Sequence, residues 1–433
     1  MAENQTEMIT QLRPFIGRKR ELDRALSLLR TPERHSRSLL FLGAPKTGKS
    51  SLLDEIAQSV EKELEDEQRD RLIWVKIPCS EQGICMDGSP ISWQTLLSLI
   101  SDAARKRNSS LHNGLSELIS SAMGMESSSE WPKFFSQLIE HNQGRELYVF
   151  ALDDFDRAWA VERSHEQALN AQDFIHFAVA PNVRLIATAR YQIMALPAEP
   201  IWLRFLGEKA ARELAESLLT PRGQLSEKVL AKVLEQAGRH PFQIRTLCRR
   251  LGTEEITRDV SSHTLGNWQS SDVITQYLKE VKSYLEAQVK ARVSDIEIWD
   301  TLAKISKGES CAGYETEVSC LVDWAVVAKD DQEEPKISSV LLQQAVGDWL
   351  SIRVKESARQ LDGSKRFLGW LGGPSALFWL TYGTALLILF STGLLRVLKV
   401  DENLALLWML PSVILFIIGR IFGLESEEKN ERR

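Results

Sequence analysis

The stretch Gly43-Ala44-Pro45-Lys46-Thr47-Gly48-Lys49-Ser50 constrains this chain more than any other. It follows the apolar run Leu39–Leu42 and precedes Ser51-Leu52-Leu53-Asp54-Glu55-Ile56, a helix-like pattern. Strand, glycine-rich turn, Lys-Ser and helix is the context of a phosphate-binding P-loop. The N–H groups of such a turn and the helix N-terminus face a polyphosphate. Gly43, Pro45, Lys46, Thr47, Gly48, Lys49, Ser50 and Ser51 are therefore the candidate nucleotide contacts. Lys49 is expected to reach the β- and γ-phosphates and serve catalysis, and Ser50 to place its hydroxyl on Mg²⁺.

More strand-like runs follow at Leu72–Ile77, Leu147–Leu152, Val183–Ala187 and Ile201–Phe205, with helix-like stretches between them such as Trp93–Ala104. Strands separated by helices predict a doubly wound parallel sheet with helices on both faces. The run at Leu147 ends in Asp153-Asp154-Phe155-Asp156. Ligands gather at the carboxyl ends of strands in such sheets. Asp153 is the expected Mg²⁺ partner, and Asp154 the acid that orients or deprotonates an attacking water. The run at Val183 leads into Thr188-Ala189-Arg190. There a polar side chain could sense the γ-phosphate, and an arginine could stabilise the charge of phosphoryl transfer. No Asn-Lys-x-Asp follows, which favours ATP over GTP.

The order of these parts resembles the STAND and origin-recognition-like ATPases of the AAA+ branch. Phe15-Ile16-Gly17-Arg18-Lys19-Arg20-Glu21-Leu22 looks like their opening F-x-G-R-x-x-E-L motif. By that resemblance Phe15, Gly17 and Arg18 lie against the base, and Thr188 and Arg190 fall at the sensor-1 strand. Gly238-Arg239-His240-Pro241-Phe242 looks like the G-G-H-P-Y of the helical lid, with Arg239 in place of the second glycine. The resemblance puts Pro241 on the base. Arg245, Arg249 and Arg250 are candidates for a second sensor. It covers about residues 14–255, and it implies ATP or ADP with Mg²⁺ and slow, regulated ATP hydrolysis.

With 433 residues, two or three domains are expected. The net charge of −6 gives no reason to expect nucleic acid. The five cysteines lack zinc-ligand spacing and read as reduced intracellular thiols. The polar Met1–Gln5 does not read as a signal peptide. Phe367–Leu395 is uncharged, longer than the roughly 20 apolar residues of a spanning helix. Leu404–Gly419 is uncharged too, and the run continues past Arg420 to Leu424. Basic residues before the first run, Arg353 to Arg366, outnumber those in the short connection, which favours both termini on the cytoplasmic side of the cell membrane.

The expected organisation is a polar tail at 1–13, a P-loop core at 14–205, a helical lid at 206–255 and a linker at 256–275. A winged-helix-like domain at 276–356, a juxtamembrane segment at 357–373, a transmembrane hairpin at 374–424 and a charged tail at 425–433 complete it. Val293–Leu350 carries only Lys304, Lys307, Lys329 and Lys336 as basic residues against twelve acidic ones, so this domain is not expected to read DNA. The whole resembles a nucleotide switch that forms homo-oligomers with ATP, acts on a lipid bilayer and answers an unknown trigger, as bacterial defence effectors do. A cycling AAA+ motor and a non-hydrolysing ATP-binding membrane scaffold are the alternatives.

Overall fold

The computed structural model describes residues 15–30, 38–80, 83–86, 89–106, 146–159, 171–178, 180, 182–290, 295–329 and 334–371. The chain divides into two units, Met1–Gly347 and Asp348–Arg433. The first opens with α1 (Lys19–Arg30), β1 (Ser38–Leu42), α2 (Lys49–Glu63), α3 (Asp66–Asp70) and β2 (Leu72–Ser80). A hairpin of β3 (Gly83–Met86) and β4 (Ser89–Pro90) leads to α4 (Trp93–Lys106). Then come β5 (Leu147–Asp153), α5 (Phe155–Trp159), α6 (Ala171–Ala178), β6 (Val183–Ala189) and β7 (Ala198–Trp202).

These strands form one sheet of seven in the order β4-β3-β2-β5-β6-β1-β7. The pairs from β2 to β7 are parallel, and β3 and β4 extend the sheet antiparallel beyond β2. The expected parallel sheet thus carries an antiparallel edge that the sequence reading did not include. A parallel sheet covered on both faces needs strands that are apolar on both sides. β5 shows the pattern: Tyr148, Phe150 and Leu152 pack with α4, α5 and α6, while Leu147, Val149 and Ala151 pack with α1 and α2. The last strand begins at Ala198 rather than Ile201. Pro200 lies inside it, paired with Leu40 of β1 on one side only, as an edge strand tolerates.

Beyond the sheet lie α7 (Glu208–Leu219), α8 (Glu227–Ala237), α9 (Pro241–Arg250), α10 (Thr253–Thr257), α11 (Ser262–Gln269) and α12 (Asp272–Lys290). The stretch 256–275, expected as a linker, is folded into the lid. Ile256, Val260, Trp268 and Ile274 share one buried cluster with Leu214, Leu230 and Leu247. Three devices close this part. Ser261 caps α11, and Glu255 accepts from Ser261 Oγ and Thr264 Oγ1, each at 2.7 Å. Burial pushes the Glu255 carboxyl upward, but these bonds and two backbone N–H groups outweigh it and hold it at about 2. The chain continues as α13 (Asp295–Lys307), α14 (Glu315–Asp323), a two-stranded ribbon of β8 (Val327–Lys329) and β9 (Pro335–Ile337), and α15 (Val340–Leu371).

Of the second unit, the described residues are helical to Leu371. No helix among the described residues is long and apolar enough to cross a membrane. The spans expected within 374–424 lie outside the described residues, as do the tails at 1–13 and 425–433.

Candidate active site

The strand order decides what meets at the site. β6 lies between β1, which feeds the P-loop, and β5, which ends in Asp153. Phe41 of β1 is level with Thr188 of β6, and Leu152 of β5 with Ala187. The carboxyl ends of all three strands therefore open on one cavity of about 770 Å³.

The P-loop forms one end of it. Gly48 takes a left-handed φ of 97° and caps α2 with no side-chain acceptor for the first-turn N–H groups. The first turn also carries no acid. Such a helix end presents unsatisfied donors and a positive dipole to an anion. Lys49 Nζ is buried and donates to the carbonyls of Gly43 and Ala44, both at 2.9 Å. Burial pushes its pKa down to about 8, against the pull of Asp154, Asp156 and Asp153. A phosphate arriving here meets an ammonium already desolvated and aimed along the loop.

Ser50 Oγ donates to Asp153 Oδ1 at 3.0 Å, so hydroxyl and carboxylate stand together beside the phosphate end. Among the described residues no three His, Cys, Asp or Glu side chains converge. That donor set suits Mg²⁺, which takes one or two protein oxygens and completes its octahedron with phosphate and water.

Thr188 differs from expectation. It is fully buried and lies outside the cavity wall. Its hydroxyl donates to Asp153 Oδ1 at 2.7 Å and accepts from the Asp154 N–H at 2.8 Å. It holds the two acids from behind the cavity wall. Arg190 lines the cavity, but its Nε donates to Asp156 Oδ2 at 2.8 Å and its N–H to Oδ1 at 2.9 Å. Asp156 is only 4 % exposed, so this arginine is held by a buried counter-charge. Asp154 faces the cavity at a left-handed φ of 54°, with burial raising its pKa against Lys49 and Arg157.

At the other end, Phe15, Arg18 and Pro241 line the wall with Ile16 and Phe242. Arg18 is 5 % exposed and donates to the carbonyls of Thr47 and Arg204. Its guanidinium therefore braces the loop from behind. Gly17 and Gly43 do not face the cavity. A side chain at Gly17 would meet Ala210 Cβ of α7 at 2.6 Å, so it serves close approach of the lid. His240 is fully buried, accepts the Phe242 N–H at Nδ1 and is pushed down to about 3 by burial, then by Arg18 and Lys49. It is a neutral helix cap behind the site. Of the three second-sensor candidates, Arg245 and Arg249 face the cavity, whereas Arg250 donates outside it to the Asn267 carbonyl.

Sequence reasoning missed Arg157 and one whole wall. Gln276, Lys279, Glu280, Ser283 and Tyr284 of α12 line the cavity at spacings of three and one. Such a polar stripe has the period of a helix face, the one signal available, and reads equally as solvated surface. Gln288 Nε2 donates to the Arg190 carbonyl at 2.9 Å, and the Tyr284 and Tyr191 rings lie 5.8 Å apart.

A P-loop between β1 and α2, a Ser50–Asp153 pair and a second acid on the next turn define a P-loop nucleoside triphosphatase site. Residues 14–173 match the model of the AAA ATPase domain family. The chain thus carries an AAA-type P-loop ATPase core that uses ATP or ADP with Mg²⁺. Among solved structures, it is similar to a Walker-type ATPase of Pyrococcus abyssi at 13 % identity and a TM-score of 0.41, over 77 % of this chain and 98 % of that one. A Drosophila ORC chain, from a complex with DNA, matches at 12 % identity and a TM-score of 0.37, over 81 % and 79 %. Domain III of the Thermotoga maritima replication initiation protein DnaA matches at 13 % and 0.29, over 63 % and 94 %. No curated protein matches the sequence.

Proposed function

We propose that this chain is a membrane-anchored, STAND-like ATPase switch whose nucleotide state governs assembly with further copies of itself. What supports this reading most is that three successive segments close on one cavity: the P-loop, lid helix α9 and α12. Nucleotide touching all three stabilises the closed arrangement by its differential affinity for that arrangement over an open one. ADP holds the closed form. Exchange for ATP releases α12 and the winged-helix-like segment behind it, freeing the ATPase face for assembly, and slow hydrolysis resets the switch. Denaturing the purified protein and quantifying released nucleotide tests this. ADP at near one per chain is expected. A chain that retains none and turns over ATP steadily is a cycling motor instead.

The anchor in this reading is the pair of uncharged runs from Phe367 to Leu395 and from Leu404 to Gly419, with the ATPase core and both termini cytoplasmic. Aromatic residues near their starts, Trp370 and Trp408, fit the interfacial belts of spanning helices. Alkaline carbonate extraction is the direct check. The full chain should stay in the membrane pellet, and a chain ending before Pro374 should be released. Release of the full chain overturns the anchor.

A further inference from the structure

The cavity holds a second arginine at its phosphate end. Arg157 sits on α5, one turn after Asp154, and lines the same wall as Lys49 and Ser50. Its Nε lies 3.3 Å from Asp154 Oδ2, yet this buried nitrogen makes no aligned hydrogen bond. The contact is a loose ion pair. Arg190 is held differently, by two bonds to buried Asp156 and one from Gln288 to its carbonyl. Of the two arginines beside Asp154, only Arg157 can change partner without breaking a buried, well-formed pair.

The alternatives for Arg157 are unequal in charge. ADP places its phosphates on the P-loop and Lys49, and Arg157 keeps Asp154. ATP adds a terminal phosphate beside Ser50 and Asp153, where the extra negative charge competes with Asp154 for the guanidinium. A guanidinium pairs with phosphate through two parallel N–H donors, more strongly than with a carboxylate approached by Nε alone.

We propose that Arg157 reads the γ-phosphate: it rests beside Asp154 with ADP and moves onto the terminal phosphate of ATP. This rests on the nucleotide-site reading given above. The movement makes the site prefer ATP from within one chain. It also leaves Asp154 unpaired only when a γ-phosphate is present, so the acid next to the water site is free in the form that can react.

The test is the affinity of the full-length protein in detergent for Mg²⁺–ADP and Mg²⁺–ATPγS, for wild type, Arg157→Ala and Arg157→Lys. Arg157→Ala should keep its ADP affinity within about twofold and lose about tenfold or more for ATPγS, the worth of one charge-assisted contact. Arg157→Lys should recover part of that loss, because the charge remains and the bidentate fork does not. Retained ADP binding shows that the variant is folded. An unchanged ATPγS-to-ADP ratio in Arg157→Ala, or an equal loss for both nucleotides, overturns the assignment. A wild-type protein that binds neither nucleotide overturns the site reading itself.

Discussion

Lys49→Ala is expected to weaken both ADP and ATP binding by about 100-fold or more. Truncating one partner of a desolvated charge pair costs about 2–5 kcal/mol, and each 1.4 kcal/mol is tenfold in affinity. Lys49 stands at the high end of that range because its ammonium is already buried and held in place by the Gly43 and Ala44 carbonyls. The desolvation has been met during folding, so phosphate receives the full Coulombic gain. Isothermal titration of the full chain measures the effect, with the unfolding midpoint as a control, because Gly43 and Ala44 also lose a donor to their carbonyls. A folded Lys49→Ala protein with wild-type affinity would remove the P-loop from the site.

A second large effect is expected at Gly238, outside the cavity lining. This residue follows α8 at a left-handed φ of 58°, and a Cβ there would lie 1.7 Å from the Ser338 carbonyl oxygen. The neighbour is backbone, fixed between β9 and the Ser339 cap of α15, so it cannot rotate away. Left-handed strain of about 1–2 kcal/mol adds to overpacking of about 1–3 kcal/mol, and the sum is about 2–5 kcal/mol. Gly238→Ala should therefore lower the thermal midpoint by on the order of 10 °C. An unshifted midpoint would show that lid and ribbon are not in mesh. The adjoining Arg239, where the resembling motif has a second glycine, donates to the Lys329 carbonyl at 2.6 Å. The departure from the motif thus supplies a further tie between the lid and the ribbon.

The core was legible because its signals are local. Each apolar strand ends on a polar group that must sit at a sheet edge, so Asp153, Thr188 and the P-loop could be placed together from order alone. What escaped has physical reasons. The hairpin Gly83–Pro90 is too short to alternate visibly, and Pro200 disguised the start of an edge strand. A sequence shows polar residues such as Thr188 and Arg190 at a strand end but not what satisfies them there. Thr188 is spent on Asp153 and Asp154, and Arg190 on Asp156. The α12 wall was hidden by ambiguity, since a polar stripe facing a cavity has the composition of one facing water.

Arg18 carries a consequence for how the molecule is made. Its guanidinium joins the loop carbonyl of Thr47 to that of Arg204, which lies 186 residues after Arg18. The edge strand that flanks the P-loop strand is also contributed late, at Ala198–Trp202. During synthesis at about 5–20 residues per second, the phosphate loop emerges before Arg204 and cannot be braced until the chain has grown past that residue. The nascent segment between them must remain soluble for on the order of ten seconds or more, with its central strands awaiting a flank. The phosphate loop is thus translated well before the carbonyl that completes its brace, and it gains that support only once Arg204 has followed.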